Sequence, residues 1–181
     1  MINAELKRLA HLLNDIQDIS NDAAEIATDF DIVLLLCDLV TLVRYQIAKT
    51  ICLEVIASRS FMVHLPENTF RQAVLNLVLN AAEACSEKKS GHISINISKP
   101  KSGLIIQIFD NGAGFSKEFL AGSIATLAAS QQDDAATGLV MSERFIKKMG
   151  GKIRLGNHFP YGACVTVLLP ESCVRTPTAS S

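Results

Sequence analysis

A chain of 181 residues is long enough for one domain of ordinary size with a real core and a helical appendage. Its net charge of −1 excludes the basic excess that nucleic acid or an anionic lipid surface selects, so small molecules or proteins are the expected partners. Although 49% of residues are hydrophobic, the strongest apolar run, residues 32–37, stops at Asp38, far short of the roughly 20 residues that a membrane span requires; with no signal-peptide layout at the N-terminus, a cytoplasmic chain is expected.

In chain order, residues 3–27 read as a helix, because Leu6, Leu9, Leu12, Leu13, Ile16 and Ile19 recur at three-and-four spacing with polar residues between them. That stripe needs a partner. Residues 29–48 read as a second, buried helix, with Asp29 and Asp31 as caps ahead of the 32–43 apolar run. From Ile51 onward strands and helices alternate. Strands at 51–56 and 61–64 precede a long helix over 66–86, and Pro66 suits its first turn. Strands at 92–98, with Ile93, Ile95 and Ile97 on one face, and at 104–109 flank a Lys-Pro-Lys-Ser-Gly turn, which is a hairpin signature. A loop-rich stretch over 110–136 leads to a helix at 137–149 that Gly150 and Gly151 end. A last hairpin, 152–155 and 163–169, turns at Pro160-Tyr161-Gly162. Pro170 opens a Ser/Thr-rich tail without apolar periodicity, which is expected to be disordered. The five cysteines, Cys37, Cys52, Cys85, Cys164 and Cys173, never take a zinc-site spacing and are expected as core thiols, and the four histidines make no metal pattern.

Chemistry concentrates at three places. Asn76 and Asn80 stand four residues apart on the long helix, on one face, amid Val74, Leu75, Leu77, Val78 and Leu79. A ligand-binding role and a structural one, bonding a neighbouring strand, both satisfy the amides there. Asp110-Asn111-Gly112-Ala113-Gly114-Phe115 follows a strand directly, offering an acceptor for an amino group and a backbone that approaches a flat ligand closely; a plain turn is the alternative. Thr137-Gly138-Leu139 opens a helix, where unpaired N–H groups and the positive dipole end attract phosphate oxygens, although a glycine near a helix start is also common.

In this order the three stretches resemble the N, G1 and G2 boxes of the histidine kinase and gyrase superfamily of ATPases, with the downstream Lys147-Lys148-Met149-Gly150-Gly151-Lys152-Ile153 similar to the family's close of the G2 helix. The resemblance runs over about residues 6–170 and is strongest over 72–169. It implies the Bergerat fold, an α/β (α+β) two-layer sandwich with a mixed sheet, helices on one face, and here an added N-terminal helix. It divides the chain into an N-terminal helix at 1–28, similar to the second helix of a kinase dimerisation hairpin, an ATP-binding catalytic domain at 29–170, and a disordered tail at 171–181.

The resemblance also implies ATP and Mg²⁺ as ligands. Asn80 would give an amide oxygen to Mg²⁺, a hard cation that takes oxygen ligands, and Asn76 would be the catalytic residue near the phosphates. Asp110 would accept the adenine amine, Gly112 and Gly114 would allow close packing beside the base, and Thr137, Gly138 and Leu139 would face the phosphates. The γ-phosphate would pass to a histidine outside this chain, on a phosphoacceptor domain, with a response regulator as downstream partner and a homodimer formed through the N-terminal helix. His11 lacks the acidic flank of a phosphoacceptor histidine. The sequence departs from the family at Ala136 and Thr137, where Gly and Leu are usual, in the 124–128 stretch that stands for the F box, and in a lid without glycines. A second function class therefore stays open: a degenerate module that binds nucleotide weakly or not at all and acts as a phosphotransfer or docking partner.

Overall fold

The computed structural model describes residues 25–122 and 134–175, with side chains assigned from 137 onward in the second stretch. Of the expected 3–27 helix, residues 3–24 lie outside the described residues and 25–27 are not helical; of the lid stretch at 123–136, residues 123–133 lie outside them. The described chain begins with β1 (Thr28–Asp31), α1 (Ile32–Arg44), β2 (Ile51–Ala57), β3 (Met62–Leu65) and α2 (Glu67–Ala84). It continues with β4 (Gly91–Ser98), β5 (Gly103–Asp110), the short α3 (Lys117–Ala121), α4 (Asp134–Lys148), β6 (Lys152–Asn157) and β7 (Ala163–Pro170), and a 3₁₀ turn over Glu171–Cys173 follows.

Five strands form one mixed sheet in the order β2-β4-β5-β7-β6, parallel between β2 and β4 and antiparallel elsewhere. Both hairpins expected from the sequence are present. Alternation along each strand builds one apolar face, because residues two apart point the same way. Val55, Ile95, Ile108, Val165 and Leu155 pair in one row, and Ala57, Ile97, Ile106, Val167 and Ile153 in the next. A third row runs Leu53, Ile93 and Asp110, so the sheet's inner face ends in a carboxylate. Helices α1, α2 and α4 cover this face, with Leu36, Leu39, Phe70, Val74, Leu77, Phe145 and Ile146 buried in the shared core. This is the two-layer sandwich that the resemblance implies.

Three boundaries and one burial expectation differ from the sequence reading. The 29–48 segment is not one helix: Thr28–Asp31 pairs antiparallel with Met62–Leu65, and the helix starts at Ile32. Asp31 is its cap, accepting from the N–H groups of Val33 and Leu34, whereas Asp29 sits in the strand and meets His64 Nδ1 at 2.6 Å and Arg175 Nε at 3.1 Å. Helix α4 begins at Asp134, not at 137. Residues 171–175 of the expected tail are not disordered, since Val174 bridges to Val63 and the Arg175 N–H donates to the Met62 carbonyl, while 176–181 lie outside the described residues. Of the cysteines, Cys85 and Cys173 are buried, but Cys37 and Cys52 are exposed, on the outer sides of α1 and β2, and are not core thiols.

Helix α2 carries the two asparagines, and its start explains where the chain goes before β1. Pro66 stands at its N-cap position and offers no side-chain acceptor. Glu25 supplies one from 43 positions upstream: its carboxylate accepts from the N–H groups of Asn68 and Thr69, both at 2.9 Å, and from the Thr69 hydroxyl at 2.6 Å. Burial pulls this carboxyl upward, but these bonds outweigh it and hold the Glu25 pKa below its ordinary value.

Candidate functional site

The end of β5 and the two helices α2 and α4 enclose a cavity of about 490 Å³, within the size range of small-molecule sites. Its wall is mostly apolar: Leu77, Ala81, Ile108, Leu139, Ala163 and Val165, with Phe115 and Phe119 from the segment after β5. Asn80, Glu83 and Asp110 are the polar side chains aimed at it other than Ser116.

Asp110 is 5% exposed. Its Oδ1 accepts from the N–H of Gly112 at 2.8 Å and of Ala163 at 3.2 Å, so the carboxyl is fixed in place and Oδ2 takes neither bond. Burial raises its pKa above the ordinary value, against the lowering pull of those two N–H groups and of His158. The backbone under it is equally constrained. His158 Nε2 donates to the Asp110 carbonyl at 2.8 Å, and the neighbouring Asn111 side chain accepts from the His92 N–H at 2.8 Å and donates to the Ser90 carbonyl at 2.9 Å. Gly162, at φ +120°, lies so close that a Cβ there would stand 1.7 Å from the Asp110 carbonyl oxygen. The result is a preorganised acceptor in an apolar wall, a type of site that selects one hydrogen-bond donor.

The other sequence-selected residues divide by position. Gly114, at φ +75°, lines the cavity beside Asp110. Gly112 packs instead against the last turn of α2, where a Cβ would come 2.7 Å from the Ala84 carbonyl oxygen. Asn80 lines the cavity, while Asn76, one turn earlier, is 5% exposed; its Oδ1 accepts from Gln72 Nε2 at 3.2 Å and its Nδ2 is buried without a partner among the described residues. A Cβ on Gly138 of α4 would stand 3.5 Å from Asn80 Oδ1 and 3.7 Å from Asn76 Cβ, so α4 passes beside both asparagines here. The Ser142 hydroxyl locks α4 there by bonding the carbonyls of Gly138 at 2.8 Å and Ala73 at 2.9 Å. Leu139 is buried in the cavity wall and Thr137 is exposed. Because α4 starts at Asp134, Gly138 is its fifth residue and lies past the opening turn whose N–H groups are unpaired. The sequence reading placed it at the helix start, since the apolar stripe of this helix begins only at Leu139.

Three contributors escaped the sequence reading: Phe119, Ala163 and Asn157. The Asn157 side chain accepts from the Phe115 N–H at 2.7 Å and donates to the Phe115 carbonyl at 2.8 Å, fastening the Asp-Asn-Gly loop to the end of β6. No local pattern announces a contact 42 positions away. Phe119 did leave a signal, standing four residues after Phe115 in an otherwise polar stretch.

The family described as histidine kinase-, DNA gyrase B-, and HSP90-like ATPase matches residues 66–172, more than half of the chain and the part that holds all these side chains. The chain belongs to this ATPase family. It is 30% identical to the sensor protein ChvG of Agrobacterium fabrum over 174 residues, 84% of this chain and 28% of that protein. To sporulation kinase D of Bacillus subtilis it is 28% identical over 120 residues, 66% of this chain and 23% of that one. The chain thus spans about a quarter of the length of these relatives. Among solved structures, the catalytic domain of the histidine kinase ThkA superposes with a TM-score of 0.66 at 23% identity, covering 80% of this chain and 95% of that one. ThkA in complex with the response regulator TrrA superposes with a TM-score of 0.71 at 22% identity, covering 94% of this chain and 50% of that one. The chain carries the ATPase module of sensor histidine kinases of two-component signalling. Among the described residues no helix is long and apolar enough to cross a membrane.

Proposed function

We propose that this ATPase module binds Mg²⁺–ATP in the cavity between β5, α2 and α4 and delivers the γ-phosphate to a histidine outside this chain. The observation that carries the reading is Asp110: a buried carboxylate, held by two backbone N–H groups on one oxygen, in an otherwise apolar wall. An adenine fits such a wall, its exocyclic amine donating to Asp110 and its ring lying against Ile108, Ala163 and Val165. Asn76 Nδ2, buried and without a partner among the described residues, is the kind of group a polar ligand completes, and Asn80 brings an amide oxygen to the neighbouring cavity.

When bound, Mg²⁺–ATP would supply the transferable phosphoryl group and the metal charge that neutralises it. Asn80 would hold the metal, Asn76 would orient the phosphate end, and Gly138 would leave room beside the Asn80 amide; a Cβ there meets it only at ordinary contact distance. Asp110 and Gly114 would fix the base, with Gly112 setting the loop against α2. Thr137 and Leu139 would complete the wall on the α4 side. This division of labour positions and neutralises, and leaves the nucleophile to the acceptor histidine. Residues 29–170 form the catalytic domain in this reading, residues 1–28 hold an N-terminal helix through which two copies associate, and a response regulator is the downstream partner, a reading supported by the likeness to ThkA in its complex with the response regulator TrrA. A cytoplasmic setting follows from the need for ATP.

The test supplies the chain with ATP carrying a radioactive γ-phosphate, Mg²⁺ and a separate histidine-bearing dimerisation domain. The expected result is acid-labile label on the acceptor, dependent on Asn76 and Mg²⁺, with little labelling of the chain itself. Label that stays on ATP with every acceptor tried, while ATP binds tightly, would contradict the transfer reading.

A further inference from the structure

We infer that Gln72 is a positioning residue for the phosphate end of the site: it fixes which way the Asn76 amide faces, and so delivers Asn76 Nδ2 as a hydrogen-bond donor to a nucleotide phosphate. The inference rests on the nucleotide reading above. Residues 72, 76 and 80 stand at four-residue steps on α2 and form one row along the helix. Asn80, at the far end of the row, lines the cavity. Gln72 and Asn76 are sunk behind it, 7% and 5% exposed. Helix positions this deeply buried are ordinarily apolar, because an amide loses its water there. Two amides buried against each other gain little or no stability over apolar side chains of the same shape, so the needs of the fold do not account for the pair.

What the pair does is set an orientation. Gln72 Nε2 donates to Asn76 Oδ1 at 3.2 Å. The two ends of an asparagine amide are nearly alike in shape and differ in that one accepts while the other donates. With Oδ1 taken by Gln72, the end left over is Nδ2, buried and without a partner among the described residues. Asn76 therefore offers N–H groups to a phosphate oxygen, an acceptor, rather than a carbonyl oxygen that would repel it. The packing keeps the pair in place. Ser142 ties α4 to α2 through the carbonyl of Ala73, the residue after Gln72, at 2.9 Å, and one turn earlier on α4 Gly138 passes beside Asn76. Gln72 thus acts through Asn76 and needs no contact of its own with the nucleotide.

The test titrates the full chain with Mg²⁺–ATP by calorimetry, comparing wild type, Gln72→Glu and Gln72→Met, each with Asn76 intact and with Asn76→Ala, and checks every fold by circular dichroism. Gln72→Glu keeps the side chain's shape but replaces the donor with an acceptor, which turns the Asn76 amide over and presents Oδ1 to the phosphates. It is expected to weaken Mg²⁺–ATP by about tenfold or more, as for one lost hydrogen bond to a charged group. Gln72→Met removes the donor, leaves the amide free to turn, and is expected to weaken binding by a smaller factor. In the Asn76→Ala background both substitutions are expected to change affinity by less than about twofold, because no amide is left to orient. A charge introduced by Gln72→Glu that acted on the phosphates directly, or a Gln72 that served packing alone, would weaken binding by the same factor in both backgrounds, and that result overturns the inference. Where Gln72→Glu does not fold, the Gln72→Met comparison decides alone. Both Gln72 variants binding as wild type does, or Asn76→Ala binding as tightly as wild type, overturns the role of Gln72 and leaves the nucleotide site standing. A wild-type chain that binds no ATP overturns both.

Discussion

Asp110 and Glu25 are both carboxylates with shifted pKa values, but the shifts run in opposite directions and predict opposite pH behaviour. Burial raises the Asp110 pKa, so the folded chain holds this proton more tightly than the unfolded chain does. Stability is then lost as pH rises from the unfolded carboxylate range through the folded pKa, and Asp110→Asn removes that loss. An adenine amine needs the ionised acceptor, so ATP affinity in the wild type falls as pH drops through the raised pKa. Asp110→Asn keeps an oxygen for the N–H groups of Gly112 and Ala163 but turns an NH₂ towards the cavity. A fold intact by circular dichroism and ATP affinity lower by about a hundredfold are expected, since a buried donor facing a donor costs roughly 3 kcal/mol. Glu25 is the reverse case. Its depressed pKa gives stability that is present above the unfolded value and lost as pH falls through the folded one. Glu25→Ala is expected to cost about 1 kcal/mol in urea unfolding at neutral pH, the usual worth of a helix cap, and much less in acid. An equal cost at both pH values would show that the carboxylate charge is not what caps α2.

At the scale of elements, two glycines that look alike in the sequence behave differently. Gly162 has φ +120° and no room for a Cβ against the Asp110 carbonyl, so Gly162→Ala is expected to cost more than about 2 kcal/mol in thermal unfolding and to weaken nucleotide binding through the displaced loop. Gly138 sits inside α4 with ordinary contact distance around a Cβ, so Gly138→Ala is expected to stabilise the fold by up to about 1 kcal/mol. Since Gly138 stands past the first turn of α4, its N–H is not a free phosphate donor, and ATP and ADP are expected to bind within about tenfold of each other. Calorimetry showing a hundredfold preference for ATP would contradict this. These elements also show what a sequence reveals. The strands of the two hairpins and α2 were legible because their apolar residues repeat with one period over many positions. Strand β1 was not: Thr28–Asp31 is too short to show alternation, and its aspartates resemble helix caps. The start of α4 was read late because Asp134-Ala135-Ala136 carries no large apolar residue. Asp110, Asn80 and Gly114 were legible as a motif that the fold brings to one cavity. Glu25, Asn157 and Ala163 were not, because each acts on a partner more than 40 positions away.

For the whole molecule, Leu6, Leu9, Leu13 and Ile16 recur at helical spacing as an apolar stripe in the sequence, and a strip of that kind is expected to associate with a second copy. Removing residues 1–24 spares Glu25, so the cap on α2 survives. Light scattering at tens of micromolar is expected to give a dimer for the full chain and a monomer for the shortened one, with unchanged nucleotide affinity; a monomeric full chain would contradict the association. The central claim, that β5, α2 and α4 enclose an adenine nucleotide site read by Asp110, is tested most directly by calorimetric titration of the full chain with ATP, with and without Mg²⁺, beside Asp110→Asn. Saturable one-to-one binding that strengthens with Mg²⁺ and weakens about a hundredfold in Asp110→Asn is the predicted result. Equal heats for the wild type and Asp110→Asn, or no binding to either, would contradict it.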